Sequence, residues 1–195
     1  MRFFLHMIVL TTCLSLSGQL QAQKTALLLI DIQDFYFPGG SLQLENPEQA
    51  GMNAGLLLEE FRKKKSPIYH VKHNFEPGGD IHQYVKPKKG ERIFSKDQVN
   101  AFLETGLLEV LQTDSIESLV ICGMQTHMCV EAAVRAAHDY GFDCILIEDA
   151  CATRSLQYKE HIIPAINVHY SSIQTLQSYS EVMSTTGFLS NFIFE

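Results

Sequence analysis

Continuous apolar runs alternate with helically spaced apolar positions along this chain. Residues 25–31, Thr-Ala-Leu-Leu-Leu-Ile-Asp, form an apolar run that ends in an acid, which is typical of a strand buried on both faces of a sheet. Shorter runs of the same kind predict the remaining strands, at 68–72, 92–95, 118–122, 143–148 and 172–176. Strands of this type need helices on both sides, and the intervening segments supply them.

The first predicted helix follows Asn46, a capping residue, with Pro47 at its first position. It presents one apolar face, formed by Ala50, Ala54, Leu57, Leu58 and Phe61. The basic run 62–65 suits its last turn, where cations stabilise the helix dipole, and Pro67 stops it. Apolar spacing predicts further helices at 99–111 and 128–140, and a weaker one at 158–167 that Pro164 interrupts.

The alternating βαβα order predicts an α/β fold, a Rossmann-like parallel sheet between two helical layers. In such sheets ligands bind at the carboxyl ends of the strands. The segment 73–91 is rich in Gly, Pro, His and Lys and is predicted to be a long loop. Long loops inside compact domains tend to be functional, so we expect this one to lie near the site.

Residues 1–22 have a different character and predict a signal peptide. Arg2 precedes an apolar stretch that runs to about Leu16, and Ala22 ends the segment at an imperfect cleavage site. The stretch is shorter than the roughly 20 apolar residues of a membrane anchor. A lipoprotein attached at Cys13 is the less favoured alternative. We therefore expect an exported protein, periplasmic or secreted, with one domain at 23–195 and no membrane association after cleavage.

Charge and cysteine content narrow the range of functions. The net charge of −7 does not favour nucleic acid or an anionic membrane as a partner. Four cysteines remain after cleavage, and their spacing fits neither a disulfide framework nor a zinc site. Cys122, Cys144 and Cys151 lie in or beside strand-like runs, as buried free cysteines often do, and whether any of them pairs is left open.

Three reactive side chains fall at the predicted carboxyl ends of strands. Asp31 ends the first strand, Lys96 follows the third, and Cys129 lies in the first turn of the helix after the fourth. A helix N-terminus and a neighbouring ammonium both stabilise a thiolate, and a carboxylate can move its proton. The turn at 123–127 offers backbone N–H groups for an oxyanion hole. Taken singly, each residue also fits a core or surface role, so the residues alone leave the catalytic interpretation open.

Four segments together resemble the isochorismatase-like cysteine hydrolase family. They are LLLIDIQDFYFPGG at 27–40, FSKDQVNAF at 94–102, CGMQTHMCVEAAVRAAHDYGF at 122–142 and IEDACATRS at 147–155. They occur in the family's order and span most of residues 24–155. Beyond residue 160 the resemblance is weak, and Pro164 has no counterpart in the family pattern.

The resemblance implies a fold, a site and an assembly. The fold is a three-layer α/β/α sandwich with a parallel sheet of roughly six strands, and members commonly form homo-oligomers. Cys129 matches the nucleophile, Asp31 the acid–base and Lys96 the third member of the triad. A cis peptide is implied between Met124 and Gln125, with the backbone N–H groups of Gln125 and Cys129 as the oxyanion hole.

We also expect Gln33, Tyr36 and His73 to line the substrate pocket, and His82 is a weaker candidate. The metal motif of nicotinamidases is incomplete after the second strand, where His73 stands without the acid and the second histidine. We therefore expect no metal and no cofactor.

The cysteine also bears on the reaction. Isochorismatases that cleave a vinyl ether generally lack this cysteine, so its presence favours a C–N bond in a small amide, carbamoyl or imide-like substrate. The alternatives are an ether hydrolase that uses Asp31 alone, and a binding protein without catalysis.

Overall fold

The computed structural model describes residues 24–192, which form one main sheet and a small separate hairpin. The strands, in chain order, are β1 (Thr25–Ile30), β2 (Ile68–His73), β3 (Arg92–Lys96), β4 (Ser118–Met124), β5 (Asp143–Ala152), β6 (Leu156–Tyr158), β7 (His161–Ile163) and β8 (Glu181–Met183). The main sheet has six strands in the order β3-β2-β1-β4-β5-β8. Every neighbouring pair in it is parallel. Strands β6 and β7 pair antiparallel with each other.

Helices cover the sheet and complete the three-layer α/β/α fold that the sequence predicts. They are α1 (Pro47–Lys64), α2 (Leu107–Thr113), α3 (Glu131–Asp139), α4 (Ala165–Leu176) and α5 (Thr185–Asn191). Helix α1 packs on α5 and on β5, whereas α3 packs on α4 and on β5. After β1 the chain continues to β2 and β3 on one side and then returns to β4 on the other side of β1, so the strand order reverses between β1 and β4. In such folds ligands bind in the crevice at the carboxyl ends of these two strands.

The centre of the core is made by β1 and β4, which pair along their whole length from Thr25 with Ser118 to Ile30 with Gly123. All seven residues of β4 are buried, and Leu27 and Leu28 of β1 are fully inaccessible to solvent. A strand with helices on both faces has no solvent side, which explains why these segments are apolar at consecutive positions.

Helix α1 begins where its sequence pattern predicts, but the Asn46 side chain makes no capping hydrogen bond. Asn46 precedes it in the left-handed region (φ 48°), Pro47 is its first residue, and Lys65 ends it at φ 58°. The predicted apolar face is buried, and the basic residues lie in the last turn. Burial of that face anchors the helix against the sheet.

The prediction of a strand at 172–176 is wrong, because these residues belong to α4. The buried residues of this helix are spaced at helical rather than alternating intervals: Ala165, Val168, Ser172, Ile173 and Leu176. The sixth strand of the sheet is instead the three-residue β8, too short to leave an apolar pattern of its own.

Two predicted helices also differ from the structure. In 158–167, the chain forms the β6–β7 hairpin first, and Pro164 caps the start of α4 instead of interrupting a helix. In 99–111, helix begins only at Leu107, because side chains hold turns before it. Asn100 Oδ1 accepts a hydrogen bond from the Phe102 N–H at 2.9 Å, and the Thr105 hydroxyl donates to the Ala101 carbonyl at 2.7 Å.

The segment predicted as a helix from 128 to 140 has two parts. A π-helical turn, Thr126–Val130, follows β4, and α3 continues from it. Cys129 therefore lies in a widened turn instead of in a regular first turn of α3.

The predicted signal peptide, residues 1–22, lies outside the described residues and stays a prediction. Within residues 24–192, no helix is long and apolar enough to cross a membrane. The four cysteines of this part of the chain are free and buried.

Candidate active site

The carboxyl ends of four neighbouring strands bring the reactive side chains together. Lys96 is the last residue of β3, His73 is the last residue of β2, and these two are direct partners in the sheet register. Asp31 directly follows β1, and Cys129 lies in the turn after β4. Adjacent strands in the order β3-β2-β1-β4 thus supply one cluster, which we call the active centre: Asp31, Lys96 and Cys129.

Asp31 turns its carboxylate into the protein at the point where β1 ends. Its backbone adopts the left-handed region at φ 49°, which aspartate tolerates better than bulkier residues. Its N–H donates to the Val71 carbonyl at 2.9 Å, so the turn is fixed against β2. The side chain is fully buried.

The Lys96 ammonium holds the active centre together. Its Nζ lies 2.6 Å from Asp31 Oδ2 and 3.3 Å from Cys129 Sγ. A third contact, at 3.3 Å, reaches His73 Nδ1. The amine is fully buried, so these three acceptors replace the water that would otherwise solvate it. One cation thus bridges the acid and the thiol.

Burial controls the protonation of the pair that Lys96 bridges. The pKa of the Asp31 carboxyl is raised by burial, against the opposing effects of Lys96 and Cys129. The pKa of the Cys129 thiol is raised to about 12, first by burial and then by the negative charge of Asp31, with Lys96 acting the other way. Burial and Asp31 thus favour the protonated thiol, and a base that removes this proton would activate the sulfur.

The Asp31 carboxylate is suited to that task because it is poorly satisfied. Apart from the ion pair with Lys96, neither of its oxygens accepts a well-formed hydrogen bond from residues 24–192. A buried carboxylate with one cationic partner and few other donors is a stronger base than one that is fully hydrogen-bonded. It can accept a proton from the neighbouring thiol.

The turn after β4 has an unusual backbone. The peptide bond between Met124 and Gln125 is cis. Gly123, just before it, has φ 136°, and a Cβ there would lie 2.0 Å from the Ile30 carbonyl oxygen, so only glycine fits between β4 and β1. The Gln125 carbonyl accepts from the N–H groups of Met128 and Val130, on either side of Cys129. These bonds fix the backbone on which the thiol is mounted.

A polar chain approaches the active centre from β5. Arg154 Nε donates to Gln125 Oε1 at 3.3 Å, and Gln125 Nε2 donates to the Tyr36 hydroxyl oxygen at 3.3 Å. Burial raises the Tyr36 pKa, and the charges of Asp31 and Cys129 raise it further, so the hydroxyl lies within electrostatic range of both. Sequence reasoning missed the roles of Arg154 and the Gln125 side chain. The only signal was the position of Arg154 in the segment IEDACATRS, just past a strand end.

The other predicted pocket residues have different surroundings. Gln33 is fully buried, and its amide donates to the His73 and Gly79 carbonyls and accepts from the His73 N–H. It therefore fastens the start of the 73–91 loop. The His82 ring stacks on Phe37 with centroids 3.5 Å apart.

Two surface depressions lie around this end of the sheet. One of about 440 Å³ is lined partly by Thr153, Ser155 and His169, and one of about 650 Å³ partly by Lys72 and His82. No residue of the active centre lines either depression, and Cys129 is only 6% exposed. Among residues 24–192, no cluster of three or more His, Cys, Asp or Glu side chains could hold a metal ion.

Comparison with known proteins identifies the family of this chain. The family model of the isochorismatase domain matches residues 25–186. An uncharacterized isochorismatase family protein of Bacillus subtilis, YddQ, is 43% identical over 177 residues, which cover 85% of this chain and 98% of that protein. A solved isochorismatase of Pseudomonas putida superposes with a TM-score of 0.80 at 34% identity, covering 85% of this chain and 91% of the other.

The chain therefore belongs to the isochorismatase family and is a hydrolase of that family. A more distant relative, 24% identical over 180 residues, is the maleamate amidohydrolase of Pseudomonas putida. Its alignment covers 80% of this chain and 84% of that enzyme. The family thus includes hydrolases that act on C–N bonds.

Proposed function

We propose that this protein is a cysteine-dependent amidohydrolase that cleaves a C–N bond of a small molecule through a thioester. The observation that carries the proposal is the single buried ammonium of Lys96, which contacts both the Asp31 carboxylate and the Cys129 sulfur. An acid, a thiol and a cation in mutual contact at the carboxyl ends of parallel strands form a nucleophile with its own base. The amide-hydrolysing relative supports the choice of bond.

The first half of the reaction forms the thioester. Asp31 removes the thiol proton as Cys129 Sγ attacks the substrate carbonyl carbon. The backbone N–H groups of Gln125 and Cys129 stabilise the oxygen anion that develops. The C–N bond then breaks, and the leaving amine takes the proton from Asp31. Lys96 keeps the charge of the cluster balanced while the proton moves.

The second half releases the acid. Water attacks the thioester carbonyl while Asp31 accepts one of its protons. The C–S bond breaks, and the proton returns from Asp31 to the sulfur, which restores the resting thiol. The raised pKa of Cys129 fits this scheme, because the thiol is deprotonated only as it reacts.

The test compares two buried cysteines. Cys129 and Cys144 both have thiols whose pKa is raised to about 12, first by burial, but the Cys144 thiol donates to the backbone carbonyls of Val134 and Phe142. We expect Cys129→Ala to lose ammonia release from a panel of small primary amides by at least about 10³-fold. Cys144→Ala should keep turnover within a few-fold.

Equal activity of the Cys129→Ala variant and the wild type would contradict the proposal. That result would show that amide hydrolysis by this protein does not need the thiol. Circular dichroism and thermal unfolding of both variants distinguish loss of chemistry from loss of fold.

A further inference from the structure

The small hairpin leaves large apolar side chains in solvent. Strands β6 and β7 pair with each other and lie outside the six-stranded sheet. Tyr158, Ile162 and Ile163 of this hairpin are 65%, 72% and 40% exposed. A hairpin of two strands is marginally stable in water unless its apolar side chains pack against another surface. These three side chains are therefore candidates for a contact with a partner.

Helix α4 extends the exposed apolar surface. The hairpin leads into this helix through Pro164, and the Ala165 N–H donates to Ser155 Oγ at 3.1 Å, which ties the base of the hairpin to the start of the helix. Ile166 and Tyr170 are four residues apart, on one side of α4, and are 54% and 59% exposed. We call five residues the apolar face: Tyr158, Ile162, Ile163, Ile166 and Tyr170.

The apolar face borders the depression of about 440 Å³, which is acidic. Ile166 and Tyr170 line this depression, together with the carboxylate residues Glu45, Glu148 and Asp149. None of the described residues that line it is Lys or Arg. Within residues 24–192, neither Glu45 nor Glu148 forms an ion pair. Such a depression repels an anionic membrane surface and attracts a cation.

The turn of the hairpin carries the complementary charge. Lys159 and Glu160 join the two strands, and Lys159 Nζ lies 5.4 Å from the centre of the Tyr158 ring. The Glu160 carboxylate contacts His161 Nε2 at 3.3 Å, whereas Lys159 has no ion-pair partner in the described part of the chain. One chain thus offers both a cation on an exposed hairpin and an acidic depression that can receive it.

We propose that two copies of this chain pair through the apolar face, with the hairpin of each copy seated in the acidic depression of the other. Each copy supplies one hairpin and one depression, so a two-fold axis repeats the contact and closes the dimer. A large apolar side chain has on the order of 200 Å² of surface, and five that are roughly half exposed present about 500 Å² per copy. Two copies then bury about 1,000 Å² before flanking polar residues are counted, which is the area that a stable interface needs.

The proposed interface lies on a helix that also contacts the turn carrying Cys129. His169 is next to Tyr170 in α4, and its Nδ1 lies 3.0 Å from Thr126 Oγ1. Thr126 is fully buried and precedes Cys129 by three residues in the π-helical turn. The second copy would therefore hold, from outside, the helix that contacts this turn.

Sedimentation velocity over a dilution series of the purified protein measures the pairing. We expect the wild type to be a dimer at micromolar concentration. Ile162→Asp places a charge in the apolar face and should raise the dissociation constant of the dimer by at least about 30-fold. The matched control is Ile93→Asp, at a half-exposed isoleucine of β3, at the opposite edge of the sheet from β8. Its dissociation constant should stay within about twofold of the wild type.

Charge reversal tests where the hairpin is seated. Lys159→Glu should weaken pairing by about tenfold, because the hairpin would then meet an acidic depression with a like charge. Glu45→Lys combined with Glu148→Lys should weaken it to a similar extent. The variant that carries all three substitutions restores opposite charges across the interface, and its dissociation constant should return to within about threefold of the wild type.

Four outcomes would overturn the inference. A monomeric wild type would leave the apolar face to a different protein, and an Ile162→Asp variant that pairs like the wild type would place the interface elsewhere. Equal losses in Ile162→Asp and Ile93→Asp would mean that the effect is not specific to this face. A triple charge variant that does not recover would remove the hairpin from the depression. Circular dichroism of each variant separates loss of pairing from loss of fold, and none of the measurements depends on turnover.

Discussion

Two buried clusters in this molecule contain similar charged residues, but the pKa of the carboxyl group is raised in one and lowered in the other. One is the active centre, Asp31, Lys96 and Cys129. The other, which we call the Glu91 cluster, consists of Arg62, Glu91 and His70 and joins α1 to β2 and the end of the 73–91 loop. Each has one buried or nearly buried carboxylate beside a cation. The two carboxylates differ both in depth, since the Asp31 side chain is fully buried and that of Glu91 is 11% exposed, and in the number of donors that each receives.

Both carboxylate oxygens of Glu91 accept hydrogen bonds. Arg62 binds both its oxygens, at 2.6 and 2.9 Å, and the Lys88 N–H and His70 Nε2 lie 2.9 and 3.0 Å from Oε2. Burial alone would raise the pKa of Glu91, but these bonds lower it to about 2. The pKa of Asp31 is raised, because its burial is deeper and a single ion pair with Lys96 does not compensate for it. A saturated carboxylate stabilises the fold, and an unsaturated one is available for chemistry.

The largest effect is expected from Asp31→Asn. Removing the general base should lower turnover by about 10²–10⁴-fold. Because Asp31 raises the Cys129 pKa, its loss should also increase the thiolate fraction beside Lys96, so alkylation of Cys129 should become faster. The two changes have opposite signs and are measured by an amide-hydrolysis assay and by the rate of iodoacetamide labelling.

Cys144 serves as the internal control for this experiment. The pKa of its thiol is raised by burial and by Asp143, and not by Asp31. Its labelling rate should be the same in the wild type and in Asp31→Asn. A variant in which Cys129 labelling slows together with turnover would show that Asp31 activates the thiol already in the resting state, contrary to the raised pKa.

The next effect concerns stability and belongs to the Glu91 cluster. Glu91→Gln removes the charge that Arg62 binds, and both side chains are mostly buried. We expect the free energy of unfolding in urea to fall by about 2–3 kcal/mol, with labelling of Cys129 unchanged. The matched control is Glu59→Gln, which removes a second and largely exposed partner of Arg62 and should cost less than about 0.5 kcal/mol. A similar loss in both variants would mean that the buried carboxylate of Glu91 contributes no more than the exposed one of Glu59.

The pH dependence of this loss has a definite direction. The pKa of Glu91 is lowered on folding from 4.5 to about 2, so its contribution is present above the unfolded value and disappears as pH falls through the folded one. The difference in stability between wild type and Glu91→Gln should therefore be constant near neutrality and shrink between about pH 4.5 and pH 2. A difference that grows on acidification would contradict this assignment.

The sequence was sufficient to predict the strands that carry the active centre and its charged residues. It was not sufficient to predict how many hydrogen bonds each buried carboxylate accepts. Strands β1 and β4 leave long apolar runs because they are buried on both faces, and α1 has a capping pattern at one end and basic residues at the other. The positions of Asp31, Lys96 and Cys129 follow from where the strands end. The sequence did not predict the hydrogen bonds to Glu91. Its partners are Arg62, His70 and Lys88, which only the fold brings together.

The errors have local physical causes. Residues 172–176 contain Ile and Leu in a spacing that a short strand and a helix share, and only packing of Val168 and Leu176 on one face decides between them. The turns at 97–106 depend on side-chain hydrogen bonds from Asn100 and Thr105, which override apolar spacing. Likewise, the contact between Lys96 and His73 arises because β2 and β3 are neighbours, a fact that the chain order alone does not state.

The smallest effect is expected from Tyr36→Phe, which tests how much a 3.3 Å hydrogen bond beside the active centre contributes to turnover. Tyr36→Phe removes the acceptor of the 3.3 Å bond from Gln125 Nε2, while Gln125 Oε1 keeps its donor, Arg154. We expect turnover to fall by about three- to tenfold, which corresponds to one neutral hydrogen bond, and the free energy of unfolding to change little. Tyr140→Phe, at a residue 50% exposed, is the control and should be silent in both measurements. A loss beyond about 100-fold would mean that the Tyr36 hydroxyl contacts the reacting atoms, since orienting Gln125 through a single weak bond cannot supply that much. No loss at all would mean that Arg154 orients Gln125 without help, and that the active centre tolerates unsatisfied groups beyond Asp31.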